Sequence, residues 1–153
     1  DKIPHDLVIV GKKDGFITGD NTLVKKSKNY PDRIIFTGLV SDKDLKQYFR
    51  QADVFVFPSL YEGFGFPPLE SMAAGTPVIS SNAASIPEVC GDAALYFDPY
   101  DIDDMAEKIL KMISDQSVKT EYIKRGKKQI KEYTWEKTTS QTFDIIQNLL
   151  TRS

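Results

Sequence analysis

Five short apolar runs alternate with helical patterns before the chain turns wholly helical, and this alternation constrains the fold more than any other feature. Leu7–Val10 is β-branched and stopped by Gly11, which predicts a buried strand. Residues 33–37 read as a second strand ended by Gly38. The run at 53–57 reads as a third, apolar as in a parallel strand covered on both faces. Residues 77–80 and 94–97 complete the set. Between them, Leu23 to Lys28 is weakly helical, and Ser41 starts a helix with Asp44 in the N3 position of a capping pattern. Leu45, Tyr48, Phe49 and Ala52 follow at helical spacing. A further helix opens at Pro67 or Pro68, since proline suits a first turn, and runs to Gly75. Ser85-Ile-Pro-Glu88 reads as a capping box, and 101–115, 117–132 and 134–150 read as helices. The pattern implies right-handed crossovers between parallel strands: a doubly wound, Rossmann-like α/β domain with a helical C-terminal tail.

At 153 residues a single core is expected, so 1–153 reads as one domain. Hydrophobic residues at 41% and charged residues at 27% exclude a disordered chain. A formal net charge of −2 argues against a nucleic-acid binder, which carries a basic excess or face. One cysteine, Cys90, cannot form an internal disulfide, and with one histidine, His5, a structural zinc site is disfavoured. A reducing, cytoplasmic location is therefore expected. No apolar run approaches the roughly twenty residues of a membrane span. The chain begins at Asp1 without an initiator methionine and reaches a strand within a few residues, so it is expected to be a fragment of a longer protein.

In open α/β sheets, ligands bind beyond the carboxyl ends of the strands. Three segments occupy such ends: 11–14, 38–41 and 58–68. The last is longer than the two to six residues of an ordinary βα loop. Gly63 and Gly65 allow backbone to approach a ligand, and the following helix aims N–H groups and its positive dipole end at the same space. The combination fits a phosphate or another anion. Glu62 and Glu70 flank it, and a carboxylate accepts two hydrogen bonds from vicinal hydroxyls such as those of a ribose or hexose. The plainer readings are a solvated loop residue for Glu62 and a dipole-favoured residue for Glu70. A pair of carboxylates also suits glycoside hydrolysis. The Gly-Phe-Gly-Phe-Pro-Pro insert between them fits phosphate better than a sugar cleft.

Glu62-Gly-Phe-Gly-Phe-Pro-Pro-Leu-Glu70, continued by Ser-Met-Ala-Ala-Gly-Thr-Pro-Val-Ile79, closely resembles the E-x7-E region of the retaining glycosyltransferase family 4. The resemblance extends to Leu7-Val-Ile-Val-Gly11, Ile35-Phe-Thr-Gly38, Ala52-Asp-Val-Phe-Val-Phe-Pro-Ser59, Ile86-Pro-Glu88 with Gly91-Asp-Ala93, and Tyr133-Thr-Trp135. It implies the carboxyl-terminal, donor-binding half of a GT-B enzyme. On that likeness Glu70 holds the ribose and Glu62 is the catalytic-site carboxylate on the transferred sugar. Backbone N–H groups of Gly63, Phe64, Gly65 and Phe66 contact sugar and diphosphate, and Gly38, Leu39 and Val40 lie against the base. It further implies no metal or other cofactor, a nucleotide-sugar donor (GDP-mannose preferred, a UDP-sugar as the alternative), and a saccharide or lipid-linked acceptor in polysaccharide synthesis. The remaining partner is the protein's own N-terminal domain.

One departure stands out. The family carries an Arg followed five positions later by a Lys, whereas here the positions five after Arg33, Arg50 and Arg125 are Gly38, Phe55 and Ile130. The first strand–helix unit and the acceptor half are expected to lie outside this chain, so transfer by the chain alone is not expected. A sugar-nucleotide epimerase on the related fold, or a non-catalytic nucleotide-binding domain, are the alternative readings. Elsewhere, His5 reads as an exposed terminal residue, Cys90 as a small buried thiol and Glu88 as part of its cap. Lys12 and Lys13 read as a solvated turn, with a phosphate contact as the alternative. The run Lys124 to Lys128 reads as a polar helix surface, with anionic lipid at the inner membrane face as its alternative partner. Trp135 reads as an anchor of the last helix, whose apolar face the likeness leaves partly uncovered.

Overall fold

Two parallel sheets carry the fold, each in its own compact unit, the first running to Tyr48 and the second from Phe49. The computed structural model describes residues 3–11 and 22–151. Lys12 and Lys13 therefore lie outside the described residues.

In the first unit, β1 (Leu7–Val10) pairs in parallel with β2 (Ile34–Gly38), Leu7 opposite Ile34 and Ile9 opposite Phe36. The register shifts between Ile9 and Val10, so Val10 faces Gly38. The expected helix between them is present as α1 (Thr22–Ser27). Arg33 fixes the entry to the sheet: its guanidinium donates to Asp6 Oδ1 at 2.7 Å and to the carbonyls of Ile3 and His5. α2 (Asp42–Gln51) starts with the cap that the sequence predicts, the Asp44 N–H donating to Ser41 Oγ at 3.2 Å. The buried strand expected at β1 is not found: Leu7, Val8 and Val10 are 48%, 40% and 39% exposed. A two-stranded sheet has no central strand, so among the described residues each strand has one hydrogen-bonded neighbour rather than two. His5 is half-buried rather than exposed.

The second unit is a three-stranded parallel sheet in the order β3 (Phe55–Phe57), β4 (Val78–Ser81), β5 (Ala94–Phe97). Phe55, Val78 and Ala94 stand abreast, so the residues of each strand alternate between the same two faces. One face carries Phe55, Phe57, Val78 and Ala94 against Leu69 and Met72 of α3 (Phe66–Ala74) and Ile86, Val89 and Cys90 of α4 (Ile86–Cys90). The other carries Val56, Ile79, Leu95 and Phe97 against Met105, Ile109 and Met112 of α5 (Ile102–Ser114) and Val118 and Tyr122 of α6 (Gln116–Gln129). All four residues of β4 are buried, as a central strand covered on both faces requires. Each fully buried aliphatic side chain here contributes about 1.5–3 kcal/mol. Gly126 lets α6 approach α3, because a Cβ there would lie 3.0 Å from Met72 Cγ.

Asp101 and Asp115 cap α5 and α6 by accepting from the N–H groups two and three residues on. After a short 3-10 turn at 130–132, α7 (Trp135–Leu150) closes the chain. None of its side chains is buried, and Trp135 is 83% exposed, so Trp135 does not anchor this helix. Trp135, Thr138, Thr142, Phe143 and Ile146 recur at helical spacing and line an open apolar groove along it.

Candidate functional site

The loop that leaves β3 spans 58–65, because α3 begins at Phe66, one residue before the expected prolines. Pro67 and Pro68 take the second and third helical positions, where their fixed φ fits and a missing N–H breaks no helical bond. Gly65 turns the chain into the helix at φ 102° and ψ 54°, a left-handed conformation that glycine adopts without strain. The far end closes on Gly75, whose N–H donates to the Met72 carbonyl while that of Thr76 donates to Ser71.

The prolines change the accounting of donors at this helix start. An α-helix leaves its first N–H groups unpaired, and two of the first three residues here have none. What leads into the helix is a stretch of peptide N–H groups from Ser59 to Phe66, of which Gly63, Phe64, Gly65 and Phe66 are the four that lie between Glu62 and the prolines. None of these donates to a protein acceptor among the described residues. The anion-binding potential inferred for this helix thus resides in the loop and the first helical residue, and only the dipole comes from the rest of α3.

Serines hold the loop in place. Ser80 Oγ donates to the Phe57 carbonyl at 3.3 Å, and Ser81 Oγ to that of Ser59. Ser85 Oγ lies 3.0 Å from the Glu62 carbonyl and 3.1 Å from that of Phe64. The capping box expected at Ser85 is not formed: its side chain makes no cap bond, and Pro87, two residues on, has no N–H to offer it. Ser59 Oγ donates to Glu62 Oε1 at 2.9 Å, which orients that carboxylate. The Phe64 ring packs on Phe66 at 4.8 Å and edge-on to Tyr133 at 5.7 Å between centroids. Sequence reasoning did not assign Ser80, Ser81 or Tyr133 to the site. The available signal was a strand, otherwise apolar, that ends in two serines, since buried hydroxyls require acceptors.

The two carboxylates differ in setting. Glu62 is half-buried, while Glu70 is exposed and makes no ion pair or side-chain hydrogen bond among the described residues. Glu70 is the fifth residue of α3, and no acidic residue stands in its first turn. The helix-dipole reading of Glu70 therefore loses its basis, because that effect fades within the first turn. Glu62, Gly63, Phe64, Gly65, Phe66 and Glu70 all belong to one continuous loop-to-helix segment, in which the backbone donors stand in sequence between the two carboxylates. Gly38, Leu39 and Val40 belong to the first unit: Gly38 ends β2 at φ 71°, Leu39 is 77% exposed and Val40 half-buried.

Cys90 is fully buried, as the sequence indicated, and burial pushes its thiol up to about 11. It ends α4 with its side chain in the core between that helix and the sheet, and takes no part in this surface.

Comparison with known proteins converges on one family. Residues 2–129 match the family described as Glycosyl transferases group 1. The chain is 45% identical over 116 residues to O-antigen chain mannosyltransferase B of Escherichia coli, a match covering 76% of this chain and 30% of that protein. It is 36% identical over 121 residues to the serotype-specific mannosyltransferase WbdA of Escherichia coli, covering 79% of this chain and 15% of WbdA. The chain thus spans less than a third of the curated relatives it matches. Among solved structures, sucrose-phosphate synthase from Thermosynechococcus elongatus aligns with a TM-score of 0.81 at 28% identity, over 97% of this chain and 39% of that one. Anabaena HepE in complex with UDP-glucose aligns at 0.80 and 18% identity, over 94% and 41%, a likeness of fold. Parallel sheets clothed by helices, a glycine loop between two glutamates eight positions apart, and a family match over most of its length place this chain among the group 1 glycosyl transferases.

Proposed function

We propose that this chain is the donor-binding half of a retaining glycosyltransferase. It would move a hexose, mannose by preference, from a nucleotide sugar to a saccharide or lipid-linked acceptor. The observation that carries the reading is the row of four unpaired N–H groups on Gly63, Phe64, Gly65 and Phe66 between the carboxylates of Glu62 and Glu70. A diphosphate is an anion with several acceptor oxygens and no donors, which is what such a row recognises. Bond cleavage between the anomeric carbon and the phosphate oxygen increases charge on the leaving group, so donors already aimed there favour the transition state over the ground state.

In this reading Glu70 accepts from the ribose hydroxyls and Glu62, held by Ser59, accepts from hydroxyls of the transferred sugar. The backbone donors and the helix dipole meet the diphosphate without a metal ion or other cofactor. Mannose is favoured by the mannosyltransferases among the relatives, with GDP as the preferred donor nucleotide of this reading, and a UDP donor is the alternative, since HepE was solved with UDP-glucose. In this reading acceptor binding falls to residues outside this chain, which covers 30% and 15% of the two mannosyltransferases compared above. A cytoplasmic site of action is part of the same reading, and among the described residues no helix is long and apolar enough to cross a membrane.

Calorimetric titration of GDP, UDP and ADP into the chain and its Glu70→Ala variant tests this. One nucleotide is expected to bind selectively, with affinity falling about ten- to a hundredfold in the variant, the worth of a hydrogen bond to a charged group. Absence of binding by the folded chain, or equal affinity in both proteins, overturns the reading.

A further inference from the structure

We infer that Ser85 is a positioning residue for the donor loop: its hydroxyl sets the direction in which the Gly63 and Gly65 peptide N–H groups point. The inference rests on the diphosphate reading above and adds to it a residue outside the E-x7-E motif. Ser85 Oγ lies 3.0 Å from the Glu62 carbonyl oxygen and 3.1 Å from the Phe64 carbonyl oxygen. Those carbonyls belong to the peptide units whose nitrogens are Gly63 and Gly65. In a trans peptide the C=O and N–H vectors are antiparallel, and the described backbone holds no cis bonds. Drawing both carbonyls toward one hydroxyl therefore turns both N–H groups the opposite way. The hydroxyl carries a single proton, so it is shared between the two acceptors, and the alignment of the two peptides is coupled.

Three further observations single out Ser85. It stands where a helix cap is expected, yet spends its hydroxyl on a loop more than twenty residues earlier in the chain. The residue before it, Ala84, has φ 51°, and among the described residues it is the one non-glycine with positive φ. An L-residue holds that conformation at a cost, and such strain persists where surrounding contacts fix it. Between the two anchored peptides, glycines at 63 and 65 remove the side chains that would otherwise help fix the loop, so the hydroxyl has little local competition.

The test uses Ser85→Ala, Ser85→Thr and Ser85→Cys, with Ser71→Ala as the control. Ser71 is buried where Ser85 is half-buried, and it too donates to a carbonyl, that of Thr76, but at the opposite end of α3. Two quantities are read: the dissociation constant of the nucleoside diphosphate that the unaltered chain binds, and the carbonyl carbon shifts of Glu62 and Phe64 together with the amide shifts of Gly63 and Gly65. Ser85→Ala should bind about tenfold more weakly, the loss expected when donors to a charged group are misaligned. Ser85→Thr should restore most of the affinity, Ser85→Cys should fall between, and Ser71→Ala should lose thermal stability without losing affinity. All four reporter shifts should move in Ser85→Ala and return in Ser85→Thr. Unaltered affinity in a folded Ser85→Ala overturns the inference and leaves the diphosphate reading standing. If the unaltered chain binds no nucleotide, that reading fails. The reporter shifts then decide alone: no movement in Ser85→Ala overturns the positioning role, and movement reversed by threonine upholds it.

Discussion

A single methyl group at Gly65 tests how the loop enters α3. The residue sits at φ 102° and ψ 54°, where an L-residue is strained. A Cβ built there would meet only Ile86 Cγ1 at 3.8 Å, an ordinary contact, so steric conflict with neighbours contributes almost nothing. The cost of Gly65→Ala is then the backbone strain, about 1–3 kcal/mol. The reduced freedom of the unfolded chain returns about 0.4–1 kcal/mol. The net loss is about 1–2 kcal/mol, or roughly 2–8 °C in Tm for a chain of this size. Gly63 provides the comparison: it lies outside the left-handed region, and its Cβ would have no atom within 4 Å. Gly63→Ala should therefore be neutral, or more stable by up to about 1 kcal/mol. Urea unfolding followed by far-ultraviolet circular dichroism measures both. A Gly65→Ala protein as stable as the parent, or a Gly63→Ala protein that loses as much, refutes the assignment of strain to position 65.

Gly126→Val should destabilise by about 1–3 kcal/mol in the same assay, because a Cβ there already lies 3.0 Å from Met72 Cγ in a filled core; an unchanged denaturation midpoint contradicts the close approach of α6 and α3. Cys90, buried and raised from 9.0 to about 11, should resist alkylation at pH 8 in the folded chain and react on unfolding. Its neutral form is favoured by folding, so this contribution to stability is intact below pH 9 and is lost as pH rises through 11, by up to roughly 3 kcal/mol. A Cys90→Ala variant should show a shallower alkaline decline, and an identical decline rules the thiol out as its source. Trp135 is the sole tryptophan and 83% exposed, so acrylamide should quench its fluorescence nearly as well as that of a free tryptophan analogue. Strong shielding contradicts an uncovered α7.

The elements that the sequence made legible are those written in local signals. β5 falls at 94–97 as read, and β4 lies one residue from the expected run, because short β-branched and aromatic stretches bounded by glycine and proline specify strands. The Gly75 stop and the Ser41 cap were readable for the same reason, since each depends on neighbours within five residues. Ser85 shows where local reading fails. Its cap signature is genuine as a pattern, but proline removes one of the donors that a cap serves, and two carbonyls far back in the chain take the hydroxyl instead. Pro67 and Pro68 carried a second legible fact that helix-dipole reasoning passed over, namely that they have no N–H to offer an anion. The exposure of Leu7 and of Trp135 could not be read from the pattern of either segment, because an apolar residue in a regular element states only what it would bury against; the uncovered face of the last helix was expected from the family likeness alone.

The central claim, that four backbone N–H groups between Glu62 and Glu70 receive the diphosphate of a nucleotide sugar, is tested most directly by amide-resolved nuclear magnetic resonance. The 15N-labelled chain is titrated with the nucleoside diphosphate and, separately, with its nucleoside. The account predicts that the Gly63, Phe64, Gly65 and Phe66 amides shift together on adding the diphosphate and far less with the nucleoside. Saturable shifts that leave these four amides still while moving others, on α7 for instance, contradict it.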